Sequence, residues 1–453
     1  MAKPRTIYTC QNCGAQSPKW LGKCLDCNAW NTYVEENYTA PTNQSRLPLI
    51  DLKKTAPQLL NEISAEEGNH IPVGIAELDR VLGGGYVPGS AILIGGDPGI
   101  GKSTLLLQTL GNLAKLGKKV LYVSGEESAT QIKGRADRLA VAEKNLWIVT
   151  ENNLEQLLVI LKTQKPDLLA IDSVQTIYSN NLSSAPGTVS QVRESTGQLI
   201  TLAKATGMTC LLVGHVTKEG SLAGPKTLEH MVDCVLYFES DQGHAFRILR
   251  AVKNRYGATN EIGIFEMTNK GFKEVGNPSH LFLSERGKNV AGSVVVASLE
   301  GTRPLLLEIQ ALVSKSGFAN PRRTAIGIDS GRMALLVAVL EKIVGLSLFD
   351  QDIFINVAGG LKVTEPALDL GISTAIFSSF RNTPLDPQTV LIGEVGLTGE
   401  VRAVSRMDAR LKEVSKLGFT QAFIPQSNAQ KNGVEGLKIN GIKTIEECFH
   451  TLF

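Results

Sequence analysis

The chain has 453 residues, which is more than one hydrophobic core usually serves and therefore predicts two or three domains. Its 46 lysines and arginines nearly balance 44 aspartates and glutamates, so the net charge of +2 gives no global argument for binding nucleic acid or membrane. No apolar run is long enough to span a bilayer and the N-terminal residues lack a secretory signal pattern, so we expect a soluble, cytoplasmic protein without membrane contacts.

Four of the seven cysteines lie near the N-terminus in two Cys-x-x-Cys pairs, Cys10 with Cys13 and Cys24 with Cys27. Four thiolates at this spacing fit a tetrahedral zinc ion. A segment this short cannot build a core without metal, so we predict a compact, structural zinc ribbon. Two redox pairs are the alternative, although neither lies in a β–α–β unit. The zinc would organise a surface for a protein partner or nucleic acid.

A polar linker follows the cysteines, and apolar runs then alternate with helical segments. We predict a zinc ribbon at residues 1–34 and a linker at residues 35–60. Five apolar runs predict the strands of a parallel α/β sheet: residues 91–94, 120–123, 168–171, 210–213 and 235–238. Polar or glycine-rich segments follow two of these strands, at the edge where such sheets bind ligands.

A phosphate loop follows the first of these strands and leads into a helix. Its residues are Gly96, Asp97, Pro98, Gly99, Ile100, Gly101, Lys102 and Ser103, with Thr104 directly after them. Strand, glycine-rich loop and helix occur in the order that this motif requires, so the loop would bind the phosphates of ATP. Lys102 would reach the β and γ phosphates, and Ser103 would ligate Mg²⁺. The alternative is a chance glycine-rich turn.

Acidic residues at two strand ends complete the predicted ATP site. Asp172 would hold the magnesium ion as the Walker B carboxylate, although an aspartate at a strand end can also be a cap or a turn residue. Glu126 and Glu127 end the strand after the phosphate-loop helix, and one of them would orient or deprotonate the attacking water. We favour Glu126. The alternative is that both glutamates only cap the helix that starts near Ser128.

Taken together, the motifs closely resemble those of the bacterial RadA (Sms) family of DNA repair proteins. The resemblance spans essentially the whole chain. It is carried by the two Cys-x-x-Cys pairs, Gly-Gly-Asp-Pro-Gly-Ile-Gly-Lys-Ser-Thr, Ser-Gly-Glu-Glu-Ser and the Lys-Asn-Arg-Tyr-Gly segment at residues 253–257. It implies a RecA-like P-loop ATPase domain of α/β fold at residues 61–275 and a Lon protease-like α+β domain at residues 276–453.

The function that the resemblance implies is an ATP-dependent DNA motor. Such a motor acts as a helicase or in branch migration on intermediates of homologous recombination. The implied cofactors are ATP, Mg²⁺ and Zn²⁺. The implied partners are single-stranded and branched DNA, a recombinase or other recombination proteins, and further copies of the chain in a homo-hexameric ring.

The resemblance also assigns roles to individual side chains. In such rings the ATP site lies between subunits, so Lys253 and Arg255 would reach the neighbouring nucleotide as an arginine finger does. Without the family, these two residues form a solvated basic turn. His215 would sense the γ phosphate, whereas a lone histidine at a strand end is otherwise more often structural. Lys218 and Lys226 would hold single-stranded DNA through phosphate contacts.

Two C-terminal segments resemble the catalytic segments of Lon protease, at residues 365–371 and 399–404. The positions that match the serine and the lysine of Lon hold Asp369 and Asp408, which offer neither a hydroxyl nucleophile nor an amine base. Ser373 and Lys412 are displaced from those positions by several residues. We therefore expect a proteolytically inactive domain.

This domain would supply subunit contacts and a DNA-binding face. The candidate face consists of four basic residues, Lys315, Arg322, Arg323 and Arg332. These side chains could equally be ordinary solvated surface.

Two competing functions stay open at this point. An ATP-dependent protease would require peptide hydrolysis and a working nucleophile in the C-terminal domain. The second competing function is a phosphate-loop switch that binds protein partners and no DNA. It stays open because the Ser-Gly-Glu-Glu-Ser segment also resembles the KaiC group. Stimulation of ATP hydrolysis by DNA would separate a motor from such a switch.

Overall fold

The computed structural model describes residues 5–11, 14–38, 59, 70–214, 225–239, 246–287, 289–317, 320–430 and 433–453. The chain divides into two compact units. The first comprises residues 1–240 and 245–275, and the second comprises residues 241–244 and 276–453. Within the described ranges, no helix combines the length and apolar character needed to cross a membrane.

The N-terminal segment is a small antiparallel sheet of three strands, β1 (Arg5–Cys10), β2 (Gln16–Ser17) and β3 (Tyr33–Tyr38), in the order β2-β1-β3. Corresponding hydrogen bonds follow Cys10 and Cys24. The N–H of Gly14 donates to the carbonyl of Cys10, and the N–H of Asn28 donates to the carbonyl of Cys24. Gly14 and Asn28 have positive φ angles of 77° and 59°, which glycine and asparagine tolerate best.

The remainder of the first unit alternates strands and helices. Its elements in chain order are α1 (Ala76–Leu82), β4 (Ala91–Gly95), α2 (Lys102–Lys115), β5 (Val120–Ser124), α3 (Ala129–Arg138), β6 (Leu146–Val149), α4 (Leu154–Gln164), β7 (Leu168–Asp172), α5 (Val189–Thr206), β8 (Thr209–Val213), α6 (Pro225–Met231), β9 (Cys234–Glu239), β10 (Phe246–Asn254), β11 (Ile262–Thr268) and β12 (Gly271–Glu274). The strands form one nine-stranded sheet in the order β12-β11-β10-β9-β4-β8-β7-β5-β6. The strands from β9 to β6 in this order pair in parallel, and β10, β11 and β12 pair antiparallel.

Apolar side chains bury both faces of this sheet. In β4, Ile92 and Ile94 join the core cluster that contains α2, whereas Ala91 and Leu93 join the cluster that contains α4 and α5. Burial on both faces explains why the central strands read as continuous apolar runs. The five predicted strands are present as β4, β5, β7, β8 and β9. A strand was also predicted at residues 249–254, within β10, whereas β6, β11 and β12 were missed. The side chains of β6 and β12 are more exposed than those of the central strands.

The second unit is an α+β structure. Its elements in chain order are α7 (Pro278–Leu283), β13 (Ser293–Glu300), β14 (Arg303–Lys315), β15 (Arg323–Ile326), α8 (Ser330–Lys342), β16 (Gln351–Val357), α9 (Asp369–Arg381), β17 (Thr389–Leu391), β18 (Glu394–Val395), β19 (Val401–Arg402), α10 (Met407–Lys416), β20 (Gln421–Pro425), α11 (Gln426–Ala429), β21 (Lys438–Ile442) and α12 (Ile445–Leu452). Seven strands form one sheet in the order β15-β16-β14-β13-β17-β20-β21, and β18 pairs with β19 in a separate hairpin. Helix α9 packs against β13 and β14.

Candidate ATP and zinc sites

The phosphate loop leaves β4 at Gly95 and enters α2 at Lys102. Gly101 caps this helix with a φ angle of 113°, and an added Cβ there would lie 2.6 Å from the side chains of Met267 and Phe272. Any other residue at position 101 would therefore have a strained backbone conformation, and its Cβ would clash with these side chains. The close approach of β11 and β12 to the loop explains why glycine stands at this position.

Lys102 is buried within the phosphate loop. Its Nζ donates hydrogen bonds to the carbonyl oxygens of Gly96 and Asp97, at 2.7 and 2.9 Å. Burial lowers the pKa of the Lys102 ammonium, and the negative charges of Asp172, Asp97 and Glu126 oppose that shift. The ammonium is thus surrounded by oxygen atoms, and the phosphates of a nucleotide would exchange with the two loop carbonyls as its partners.

Asp172 ends β7 and is almost fully buried. The hydroxyl of Tyr122, on the neighbouring strand β5, donates a hydrogen bond of 2.7 Å to its Oδ2 atom. Burial and the charge of Asp172 raise the pKa of Tyr122, so the tyrosine stays a donor. This contact holds the carboxylate at the carboxyl edge of the sheet. Tyr122 was not among the predicted site residues, because a tyrosine inside a strand reads as core.

Glu126 and Glu127 have different partners although they are adjacent. The hydroxyl of Ser173 donates to Oε1 of Glu126 at 2.7 Å, which joins this carboxylate to the residue after Asp172. Glu127 instead pairs with Nη2 of Arg135 on α3, at 2.5 Å. The two glutamates therefore have separate surroundings, and Glu126 is the one bound to the residue that follows Asp172.

Helix α3 is capped by Ser128 and not by the glutamates. The N–H of Gln131 bonds the Ser128 hydroxyl, and the Gln131 side chain accepts from the Ser128 N–H in a capping box. The side-chain hydrogen bonds that cap this helix therefore come from Ser128 and Gln131, and not from Glu126 or Glu127.

Lys253 and Arg255 lie at the opposite edge of the sheet from the phosphate loop. The N–H of Arg255 donates to the carbonyl of Asp233, and its Nη1 bonds Oδ1 of the same residue at 3.0 Å. The other oxygen of Asp233 accepts the N–H of Ala91, the first residue of β4. Lys253 donates to the carbonyls of Glu229 and Val232, at 2.6 and 2.8 Å, near the end of α6. Burial lowers the pKa of Lys253, and Arg255 adds to that shift.

Several predicted site residues lie outside the described residues. These are Cys13, His215 and Lys218; Lys226 belongs to α6, but its side chain is outside the description.

The other three cysteines of the predicted zinc site come together. The Sγ atoms of Cys10, Cys24 and Cys27 all lie within 4.8 Å of one another. Zinc bonded to sulfur at about 2.3 Å in a tetrahedron sets sulfur atoms about 3.8 Å apart. The Sγ atoms of Cys10 and Cys27 are 3.7 Å apart, which fits that geometry.

Two hydroxyl groups support these thiols from outside. Thr32 Oγ1 lies 3.1 Å from Cys10 Sγ, and the Tyr33 hydroxyl donates to Cys24 Sγ at 3.6 Å. Hydrogen bonds of this kind orient thiolate ligands of a metal. The residues present therefore fit a structural zinc ion, and no disulfide joins the cysteines of the described part of the chain.

In the second unit, the position that matches the Lon serine holds an ion pair. Asp369 is buried, and both of its oxygens accept hydrogen bonds from Arg332, with Oδ2 also accepting the N–H of Val395. Ser373 is fully buried and its hydroxyl has no hydrogen-bond partner in the described part of the chain. Lys412 is exposed to solvent. A buried hydroxyl and an exposed amine cannot act as a catalytic pair.

A second buried ion pair joins Glu365 to Arg410. Arg410 is completely buried; its guanidinium binds both Glu365 oxygens and the carbonyls of Ala297 and Ser405. This arginine lies two residues after Asp408, which is exposed. The pair was not predicted, because the sequence gives no sign that these distant charges meet inside the core.

Two of the four arginine and lysine side chains in the predicted DNA-binding face are already bound to acidic residues of the chain. Arg332 is held by Asp369, and Arg322 bonds Asp352 while lying 5.7 Å from the ring centroid of Phe354. Lys315 and Arg323 are exposed. The four residues therefore do not act as one set of uncommitted cations.

Family models match three stretches of the chain. The Rubredoxin metal binding domain matches residues 8–35, the AAA domain matches residues 56–221, and Subunit ChlI of Mg-chelatase matches residues 332–428. These matches, with the two sheets, confirm the predicted fold class: an N-terminal zinc ribbon, a RecA-like P-loop domain and a Lon protease-like α+β domain.

Similar proteins cover the whole length of the chain. The DNA repair protein RadA of Halalkalibacterium halodurans is 52% identical over 99% of this chain and 98% of its own length. The DNA repair protein RadA of Pseudomonas aeruginosa is 51% identical, with complete coverage of both chains. Among solved structures, the KaiC-like protein PH0186 of Pyrococcus horikoshii OT3 is 21% identical with a TM-score of 0.39, covering 46% of this chain and 98% of its own.

Proposed function

The chain belongs to the family of the DNA repair protein RadA, and on that basis we propose that it is an ATP-driven DNA motor. Family membership makes it a DNA repair ATPase that binds ATP, zinc and DNA. The proposal goes further: the chain acts as a helicase or in branch migration on recombination intermediates. It would do so as a homo-hexameric ring, in the cytoplasm, with a recombinase or other recombination proteins as partners.

The observation that carries the proposal is the meeting of three groups at one sheet edge. Lys102 lies in the phosphate loop after β4, Glu126 follows β5, and Asp172 ends β7. The hydrogen bonds from Tyr122 and Ser173 fix the two carboxylates in this arrangement. Phosphoryl transfer needs a cation, a metal-holding carboxylate and a water-orienting group around one phosphate, and these residues supply that set.

In the proposed reaction, each residue has a separate task. The loop residues 96–104, Lys102 among them, would bind the phosphates, and Ser103 and Asp172 would hold Mg²⁺. When bound, that ion would neutralise charge on the β and γ phosphates. Glu126 orients the attacking water and accepts its proton. Glu127 serves the structure through its ion pair with Arg135.

In this proposal Arg255 acts on the nucleotide of a neighbouring subunit, and Lys253, whose ammonium binds carbonyls at the end of α6, holds the turn that carries Arg255. Asp233 ties Arg255 to the first residue of β4, whereas the phosphate loop follows the last residue of that five-residue strand. A strand of this length spans about 13 Å, so Arg255 is too far to reach its own nucleotide. The exposed guanidinium suits a contact supplied across a subunit interface.

The remaining assignments rest on the family resemblance. His215 would sense the γ phosphate, and Lys218 and Lys226 would contact the backbone of single-stranded DNA. The proposed domains of the chain are a zinc ribbon at residues 1–34, a linker at 35–60, an ATPase domain at 61–275 and a Lon-like domain at 276–453.

The Lon-like domain is proteolytically inactive in this proposal. The ion pair of Asp369 with Arg332 fills the position of the nucleophile, and Ser373 is buried away from solvent. The domain would instead serve subunit contacts. An unstructured protein substrate such as casein should stay intact after incubation with the chain and ATP, and its degradation would contradict this part of the proposal.

The test of the motor is steady-state ATP hydrolysis with and without single-stranded DNA, at low and moderate salt. Stimulation that decreases with salt supports a DNA motor, because phosphate contacts release counterions. Lys102→Ala is the control without hydrolysis. Hydrolysis that DNA leaves unchanged would favour a switch that binds protein partners.

The proposed action of Arg255 on the neighbouring subunit's nucleotide can be tested separately, in rings that contain two different variants. Lys102→Ala retains a normal Arg255, and Arg255→Ala retains a normal phosphate loop. If Arg255 acts on the neighbour, mixing the two inactive variants restores part of the hydrolysis. Full activity of Arg255→Ala alone with DNA present would contradict the role.

A further inference from the structure

The zinc ribbon exposes two large aromatic side chains. The exposed fraction of Trp20 is 53% and that of Trp30 is 68%. The chain has three tryptophans, so most of this residue type lies in a segment with almost no core of its own. Single exposed apolar residues are ordinary, but tryptophan is costly to leave in water, and two in one small segment indicate a binding surface.

Backbone contacts connect the two tryptophans. The Trp20 ring lies over Gly22, where an added Cβ would be 3.6 Å from the ring. The carbonyl of Gly22 accepts the N–H of Asn31, beside Trp30. Lys23 pairs with Trp30 in an isolated β-bridge, and its Nζ lies 5.7 Å from the centre of the Trp30 ring. We call Trp20, Lys23 and Trp30 the tryptophan surface.

We propose that the tryptophan surface binds single-stranded DNA by stacking on its bases. This inference rests on the proposed function, in which the chain acts on DNA. Flat aromatic faces beside an ammonium group match a strand whose exposed bases alternate with phosphates. Such stacking tolerates every base, which suits a motor that moves along DNA of any sequence.

The charges around the surface support a nucleic acid over an apolar protein partner. Lys19, next to Trp20 in the sequence, and Lys23 are both exposed, and Asp26 is the one acidic residue between the tryptophans in sequence. A protein docking site usually has few lysines at its centre. Here Lys23 lies against the Trp30 ring itself, where a phosphate of a stacked strand would find it.

Tryptophan fluorescence tests the proposal directly. In a Trp147→Phe background, Trp20 and Trp30 are the only tryptophans of the full-length, zinc-loaded protein. Unlabelled oligo(dT), added without nucleotide, should quench the emission in a saturable way. Trp20→Ala and Trp30→Ala, also made in the Trp147→Phe background, should each reduce the quenching and weaken binding about tenfold. Lys23→Gln should reduce the dependence of binding on salt.

Val34→Ala is the matched control, because Val34 is a half-exposed apolar residue on β3 of the same ribbon. Zinc content should be unchanged in every variant, which shows that the ribbon still forms. The inference is overturned if oligo(dT) stimulates ATP hydrolysis while the fluorescence is unchanged and the tryptophan variants bind DNA normally. It is also overturned if those variants keep DNA binding but lose binding to a recombinase. Absence of any DNA binding by the parent protein would instead remove the proposed function.

Discussion

The hydroxyl of Tyr122 and a carboxylate oxygen of Asp172 are joined by a hydrogen bond of 2.7 Å across two neighbouring parallel strands. The donor is buried, and burial together with the charge of Asp172 raises its pKa, so it is protonated at neutral pH. One oxygen of Asp172 is thereby committed, and the other is directed to the metal in the proposed reaction. In the proposed reaction, the geometry of the metal site would therefore depend on Tyr122, a side chain buried inside the sheet.

Tyr122→Phe should weaken Mg²⁺ binding and lower kcat, with a smaller effect on the KM for ATP. The substitution removes the donor while it keeps the ring that fills the core. Leaving a buried carboxylate oxygen without its partner should also cost about 1–3 kcal/mol of stability. Measuring hydrolysis as a function of Mg²⁺ concentration separates the two effects. A half-saturating Mg²⁺ concentration equal to that of the parent protein would show that Tyr122 has no positioning role.

Glu126→Gln and Glu127→Gln should differ strongly. Loss of the group that handles the attacking water should lower kcat about 10²- to 10⁴-fold while ATP still binds. Glu127→Gln replaces a charged partner of Arg135 by an amide, and hydrolysis should decrease by a much smaller factor. Single-turnover hydrolysis alongside binding of a fluorescent ATP analogue checks both. If Glu127→Gln is the inactive variant, the assignment is reversed.

Arg410→Ala should destabilise the second unit by about 3–5 kcal/mol, because it leaves the Glu365 carboxylate without its main partner. The matched control is Arg402→Ala. Arg402 pairs with Glu400 at the surface, so this loss should cost less than about 1 kcal/mol. Urea unfolding followed by circular dichroism measures both variants. Equal midpoints for the two would mean that the buried pair contributes no more than the exposed one.

Removal of zinc should unfold the ribbon and leave the ATPase core folded. The cluster around Cys10, Cys24 and Tyr33 is the only core of the ribbon among the described residues. A Cys24→Ser variant should therefore bind less zinc and lose protection of the ribbon amides in hydrogen exchange. Basal ATP hydrolysis should stay close to that of the parent protein. Full amide protection in metal-free protein would contradict a structural role for the metal.

The parts of the site that are local in sequence could be predicted from it. The phosphate loop and the cysteine pairs are motifs in which neighbouring residues carry the chemistry, so their spacing alone identifies them. The contact of Tyr122 with Asp172 joins residues 50 positions apart, and that of Ser173 with Glu126 joins residues 47 apart. These contacts depend on β5 lying beside β7, and spacing carries no information about strand order.

The choice between adjacent glutamates was also beyond the sequence. Glu126 and Glu127 are adjacent residues of the same type, and only the register that pairs Ser124 with Asp172 brings one of them, Glu126, to the hydroxyl of Ser173. The ion pairs of the second unit were missed for a related reason. Asp369 and Arg332 lie on different helices, and the sequence shows only that the serine of the Lon pattern is replaced.

The bonds from Lys253 to the end of α6 have a mechanical consequence. The turn that carries Arg255 and the helix that follows residues 215–224 are fastened to each other by one ammonium group. If the turn touches the nucleotide of one subunit and the segment before α6 touches DNA, then loss of the γ phosphate would pull on the helix through Lys253. Lys253 would then couple ATP hydrolysis in one subunit to a displacement of the DNA-binding segment of the next subunit.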